Sequence, residues 1–347
     1  MFMAMTAMLI ASCSSDDVVS TNTGRAIDFR TSVGTRGTET TTTNIDKFWV
    51  TAIDGAGANY FSQQEFTKDG EFFTSSPLYY WPAGELKFFA YSPSATDLGG
   101  ALTISNTTKE LKDFSPATEI AEQKDFVTAT TSGTRAANET KGVKLTFAHQ
   151  LSQIEIKAKN TNTGYIYTVV GVRIGKPVSK GTFTFDTNKW TLTTTEKTNY
   201  AVEYTTPPRI LGAEAATMMG TANNNAMLLP QQLVAWASAT DKTNNANGAY
   251  IALKIQITTT DGARVYPAKT KGDYDWAAVA INTNWEAGKK YVYTLDFSNG
   301  AGKVDPEKPK PVDPTDPFKP GEDILGKPIK FTVTVTPWTS ADQPVEM

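Results

Sequence analysis

Apolar side chains in this chain alternate with polar ones over short runs, and nothing long repeats at the helical period. Ile251, Leu253, Ile255 and Ile257 form the clearest run. Val143, Leu145 and Phe147 form another, and Ile154, Ile156 and Ala158 a third. Alternation of this kind gives a strand one face for a core and one for water. Thr is abundant, and Val, Ile, Tyr, Phe and Trp recur in the runs, all residues that fit a pleated surface. Many short strands separated by polar turns predict an all-β chain built of β-sandwiches. At 347 residues the chain is too long for one ordinary core, so two are expected.

Taken in order, the first candidate strand is Ala26-Ile27-Asp28-Phe29-Arg30-Thr31-Ser32-Val33, in which Ile27, Phe29 and Val33 share a face. Gly34-Thr35-Arg36-Gly37 follows, then a polar, Thr-rich stretch, so this strand is set off by an arginine-containing loop of the kind proteases cut. A second strand runs from Phe48 to Ile53 and ends at an Asp54-Gly55 turn. The block Leu78-Tyr79-Tyr80-Trp81-Pro82-Ala83-Gly84 leads into Phe88-Phe89-Ala90-Tyr91. It reads as sandwich core, since aromatics carry large buried area, with an exposed platform for sugar rings as the other reading. Gly181 to Trp190 reads as a hairpin turning at Asp186 to Lys189, and Met227-Leu228-Leu229 as a buried run stopped by Pro230. From Asp305-Pro306 to Lys319-Pro320 a proline stands at every second or third position. Such a segment is expected to stay out of any sheet and to act as an extended spacer at ~3.1 Å per residue. Beyond it Ile329, Phe331, Val333 and Val335 alternate with Lys330, Thr332 and Thr334 in a last strand.

Little in the chain points to chemistry. Formal charge is 33 − 36 = −3, which gives no basic footprint for nucleic acid. With one histidine and one cysteine, a zinc site of two histidines or four cysteines is impossible. His149 lies where one strand turns into the next and reads as structural, because catalysis needs a nucleophile and an orienting partner beside it. Gly300-Ala301-Gly302-Lys303 lacks the spacing of a phosphate-binding loop. Asp273 and Asp275 read as solvated turn acids, lacking the rest of a calcium loop. No catalytic residue, metal ligand or cofactor is assigned.

The lone cysteine has a different context. Leu9-Ile10-Ala11-Ser12-Cys13 is an apolar run ending in small residues, and Ser14-Ser15-Asp16-Asp17 follows it. A leader of this kind is a signal-peptide pattern. Ile10-Ala11-Ser12-Cys13 resembles the lipobox of bacterial lipoproteins, and the serines and acids after it resemble the export signal for the outer face of the outer membrane in the Bacteroidales. That resemblance implies lipidation at Cys13. No Lys or Arg precedes Cys13, whereas a signal peptide begins with positive charge, so the leader is expected to start further upstream. No later run approaches the eighteen or more apolar residues of a spanning helix.

The ordered set of motifs resembles the fimbrillin family of the Bacteroidales over nearly the whole chain. The motifs are Cys13; Ile27 and Phe29 before Arg36; Tyr79-Tyr80-Trp81-Pro82 with Phe88-Phe89-Ala90-Tyr91; Leu145-Thr146-Phe147-Ala148-His149-Gln150-Leu151-Ser152; Leu228-Leu229-Pro230-Gln231; Gly288-Lys289-Lys290-Tyr291-Val292-Tyr293; and Val335-Thr336-Pro337-Trp338. The resemblance implies two tandem transthyretin-like Greek-key β-sandwich domains, placed at residues 26–141 and 142–298. Before them stand a signal peptide at 1–12 and a tether at 13–25. After them come the Pro-rich spacer at 299–328 and the last strand at 329–347.

The function so implied is that of a structural fimbria (pilus) subunit or its anchor, exported as an outer-membrane lipoprotein and supporting adhesion. Its partners would be other fimbrillin subunits, the outer membrane through the lipid, and an adhesion ligand of host or bacterial origin. Assembly would proceed by strand exchange. Cleavage between Arg36 and Gly37 would remove the first strand together with the lipid. The last strand, with Ile329, Phe331, Val333 and Val335 on one face, would pair either in its own sheet or as a donor in a neighbour. The alternative is a surface lipoprotein that binds glycan or protein without polymerising. An enzyme is not expected.

Overall fold

The computed structural model describes residues 24–33, 45–204, 207–220, 225–237, 248–307 and 315–338. Among them, α-helix is limited to single turns at Ala95–Leu98 and Arg135–Asn138, and nearly everything else regular is strand. No helix of the described residues is long and apolar enough to cross a membrane.

The first sheet closes on itself. Its order is Phe29–Val33, Phe72–Ser75, Asn59–Asp69, Lys47–Asp54, Leu86–Ser92, Val127–Gly133 and Val143–His149, and the two ends meet because Phe29–Val33 pairs with Val143–His149. That closing pair is parallel, whereas every other neighbour in the barrel is antiparallel. Inside lie Phe29, Phe48, Phe66, Phe88, Val143 and Leu145, each at 0–1% exposure. The turn after Lys47–Asp54 forms because the Asp54 carboxylate accepts from the backbone N–H groups of Ala56 and Ala58, both at 2.9 Å. A short acid at a turn bonds its own backbone in this way. Gly57 is needed there: its φ is +85°, and a Cβ would sit 2.4 Å from the Asn106 amide.

The later part of the chain folds into two facing sheets. One centres on Ser152–Lys159, paired in parallel with Lys289–Asp296, and the other on Tyr165–Gly175 and Tyr250–Thr259. Ile154, Ile156, Tyr293 and Leu295 from the first sheet meet Val169, Val172, Ile251, Leu253 and Ile255 from the second. The alternation seen in the sequence therefore sorts these strands as expected.

A third sheet joins the two parts. Its order is Lys189–Leu192, Gly181–Thr184, Lys109–Phe114 and Ala101–Ile104, so it is two hairpins from opposite sides of Lys141 paired edge to edge. Phe114, Leu111 and Phe183 from these strands form a further core with Phe89, Tyr91, Phe126, Leu151, Leu229 and Trp338. The strand Leu86–Ser92 serves both cores: Phe88 and Ala90 point into the barrel, Phe89 and Tyr91 into the junction. A strand buried on both faces reads as a continuous apolar run, which accounts for Phe88-Phe89-Ala90-Tyr91.

The Pro-rich segment corrects one expectation. Lys303–Val304 pairs with Ala277–Ala278, so the segment does join a sheet at its start. The strand stops before Pro306, where the missing N–H begins to matter. Val304 and Ile324 are fully buried, so the chain on both sides of the prolines lies against the second part of the molecule.

Candidate assembly strands at the two ends of the chain

The first strand is held by buried side chains and by a backbone ladder on one edge. Ile27 and Phe29 are buried at 1% and 0% exposure. The Phe29 ring meets Phe48, Phe66 and Phe88 edge-on, with centroids 5.9, 4.7 and 5.2 Å away. Edge-to-face pairs at these distances add to the gain from area burial. The Ile27 N–H donates to the Tyr79 carbonyl at 2.7 Å, and the Val143 N–H donates to the Asp28 carbonyl at 2.9 Å. Against Phe72–Ser75 the strand pairs only at Phe29 and Phe73, so its main ladder is the parallel one with Val143–Phe147. Asp28 is buried and bonded to Arg25 at 2.9 Å. Burial raises its carboxyl above the usual range, and Arg25 and Arg30 oppose the rise. Both guanidiniums also sit over the Phe72 ring, at 4.7 and 4.5 Å.

The last strand is held differently. Lys330–Pro337 pairs antiparallel with Lys289–Asp296 at the edge of its sheet, from Asp296 opposite Lys330 to Lys289 opposite Pro337. Ile329 is buried at 4%, Phe331 and Val333 are half-buried, and Val335 is 50% exposed. The apolar face that the alternation predicts exists, and its cover falls along the strand, from buried Ile329 through Phe331 and Val333, which pack partly against the core, to exposed Val335. Thr336 and Pro337 are exposed, and Trp338 then turns inward to 4% exposure. Its indole stacks on His149 with centroids 4.2 Å apart and planes 11° apart. His149 Nδ1 lies 2.8 Å from an Asp125 carboxylate oxygen, both side chains being buried. The histidine is thus held between Asp125 and the indole, and it supports the last described residue of the chain.

The root of the C-terminal segment is fixed by charge. Arg173 bonds Asp305 at 2.5 Å with both side chains nearly buried, and its guanidinium lies 4.4 Å from the Trp276 ring centroid. Glu307 accepts from the Tyr250 hydroxyl and pairs with Lys176 at 2.9 Å. Burial pushes the Asp305 carboxyl up, and Arg173 pulls it back. Burial also acts on Glu307, but the bonds from Tyr250, Lys176 and Asn199 outweigh it and hold that carboxyl below its ordinary value.

Cys13, Arg36 and Gly37 lie outside the described residues. The aromatic block is largely core: Trp81 is buried, Tyr79 and Tyr80 are half-buried, and Leu78 at 52% and Tyr60 at 37% are its exposed fringe. Among the described residues no three or more His, Cys, Asp or Glu side chains are grouped to hold a metal ion. Asp28 with Arg25, Arg173 with Asp305, and His149 with Trp338 were not singled out from the sequence. No spacing rule links partners so far apart in the chain, except Arg25 and Asp28, whose i,i+3 separation carries meaning only in a helix.

Comparison with known proteins gives a consistent result. A family described as fimbrillin-like matches residues 35–338. The fimbrium subunit Fim1C of Phocaeicola vulgatus is 25% identical over 363 aligned positions, covering 88% of this chain and 93% of that protein. Among solved structures, a fimbrilin (FimA) of Porphyromonas gingivalis W83 superposes with a TM-score of 0.51 at 14% identity, covering 92% of this chain and 99% of that one. A putative cell adhesion protein of Parabacteroides distasonis superposes at 0.50 with 11% identity, covering 92% and 98%.

Proposed function

We propose, on the premise that this chain belongs to the fimbrillin-like family, that it is a structural fimbria subunit or anchor, exported as a lipoprotein and assembled by strand exchange in support of adhesion. One observation carries the reading: the barrel is closed by a short strand near one end of the chain, while an edge strand near the other end has its apolar face covered only in part, from buried Ile329 to exposed Val335. Withdrawal of Phe29–Val33 would open a slot lined by Phe48, Phe66 and Phe88. Ile329 and Phe331 have the two-residue spacing of Ile27 and Phe29, so the last strand of a neighbour presents matching side chains to that slot.

Side-chain burial favours the exchange. Phe331, Val333 and Val335 are only partly covered at home, and fully burying such a side chain stabilises by roughly 1.5–3 kcal/mol. An inserted strand also gains main-chain bonds on both edges. A contact between unlike surfaces of successive subunits repeats without closing and so builds a filament. Lipidation at Cys13 and cleavage between Arg36 and Gly37 complete the reading. The second step frees the subunit and removes its first strand together with the lipid.

The variant Val335→Asp tests this. Val335 is 50% exposed in the monomer, so the charge should leave folding unchanged. In an apolar slot the same carboxylate has no partner and is costly to bury. The variant should melt with the wild type and fail to form filaments; normal filaments would overturn the reading.

A further inference from the structure

Among the described residues the last strand has one backbone ladder, along Lys289–Asp296, and most of its side chains face water. At its end the Trp338 backbone N–H donates to the Gly288 carbonyl at 2.8 Å, and the indole enters the core that joins the two parts of the molecule, a core it shares with Leu151, Met227 and Leu229. It lies flat on His149, whose ring is held by Asp125. Four exposed residues, Thr334, Val335, Thr336 and Pro337, precede this one buried ring.

We propose that Trp338 is the latch of the last strand. Seating of its indole against His149 holds Lys330–Pro337 on its own subunit, and withdrawal of the indole from that seat is the step that frees the strand. Three features fit this role. Ile329, Phe331 and Val333 hold the first half of the strand on the core, but no side chain of 334–337 is buried, so the ring at its end carries a large share of what holds the second half. The buried indole N–H has no hydrogen-bond partner among the described residues, so the ring leaves its seat without breaking a bond of its own. The other end of the segment stays fixed by Arg173 to Asp305 and by Tyr250 and Lys176 to Glu307, so release at Trp338 swings an arm from a fixed root. The use of the freed arm in assembly rests on the strand-exchange reading; the latch itself does not.

Hydrogen exchange read by mass spectrometry on the monomeric full chain tests the latch. In Trp338→Ala the amides of 330–337 and of their partners in 289–296 should exchange roughly tenfold faster or more, while those of Val127–Gly133 in the barrel keep their wild-type rates. Wild-type exchange throughout would overturn the proposal. Should Trp338→Ala open the whole molecule, Trp338→Leu decides. That variant keeps an apolar plug and loses the flat stack. Acceleration confined to 289–296 and 330–337 supports the latch, whereas uniform or unchanged exchange overturns it. Filament assembly is scored separately. Local release without wild-type filaments sinks strand exchange and leaves the latch, and unchanged exchange with normal filaments sinks the latch alone.

Discussion

The Phe29 ring stands edge-on to Phe66, with centroids 4.7 Å apart and planes 89° apart. Phe29 comes from the one strand that closes the barrel in parallel, and Phe66 from a strand elsewhere in the same sheet. The contact thus ties the closing strand to the core rather than only to its neighbours.

Truncation of that ring should be expensive. Phe29 is fully buried, and a Phe→Ala change in a core typically costs about 3–5 kcal/mol. Phe29→Ala is expected to lose that much in urea unfolding, and hydrogen exchange should speed up first along Val143–His149. A loss under roughly 1 kcal/mol would mean that the strand contributes little to barrel stability.

Asp28 gives the strand a pH dependence. Burial raises its carboxyl above the unfolded value of 3.8, so the folded state holds the proton more tightly than the unfolded chain. The resulting stability is fully present below 3.8 and is lost as pH rises through the folded value. Asp28→Asn cannot ionise. Its stability relative to the wild type should therefore rise across that acidic window and level off above it, as read from urea midpoints at a series of pH values. A difference that stays flat with pH would contradict the assignment.

Cleavage between Arg36 and Gly37 predicts a defined N-terminus. Mass spectrometry of the chain from native filaments should find Gly37 as its first residue. Arg36→Gln should leave the chain uncut, on the cell, and outside filaments. An intact N-terminus in wild-type filaments would rule the step out.

Lipidation predicts a loss of membrane association. Acyl chains hold by roughly 0.8 kcal/mol per buried CH₂, and two or more are needed for a stable anchor. Cys13→Ala should abolish fatty-acid labelling and leave the chain out of the membrane fraction. Continued sedimentation and labelling would place the anchor elsewhere.

The parts of the fold that were legible in the sequence are those that period two encodes. Val143, Leu145 and Phe147 alternate with exposed partners in the structure as in the sequence, and so do Tyr291, Tyr293 and Leu295 with their half-buried neighbours. The same rule showed that Ile329, Phe331, Val333 and Val335 share a face but not whether anything covers it, because cover depends on the rest of the sheet. The pairing of Gly181–Thr184 with Lys109–Phe114 was not legible, since two polar-flanked hairpins carry no mark of each other. Trp338 closes a legible motif, while its seat on His149 depends on the path of the whole C-terminal segment. The proline pattern gave no sign of the short strand Lys303–Val304 just ahead of it, because two residues are too few to show a period.

The sheet between the two parts of the molecule bears on how such a filament would answer to pulling. In a chain of subunits joined through strands, load enters each one at the barrel slot and leaves at the last strand, on the far side of the hairpin pair Lys109–Phe114 and Gly181–Thr184. The two parts cannot swing apart there without breaking a backbone ladder and opening a core that contains Phe114, Phe126 and Phe183. Each subunit would therefore behave as one stiff link, and any give in the filament would be confined to the junctions between links.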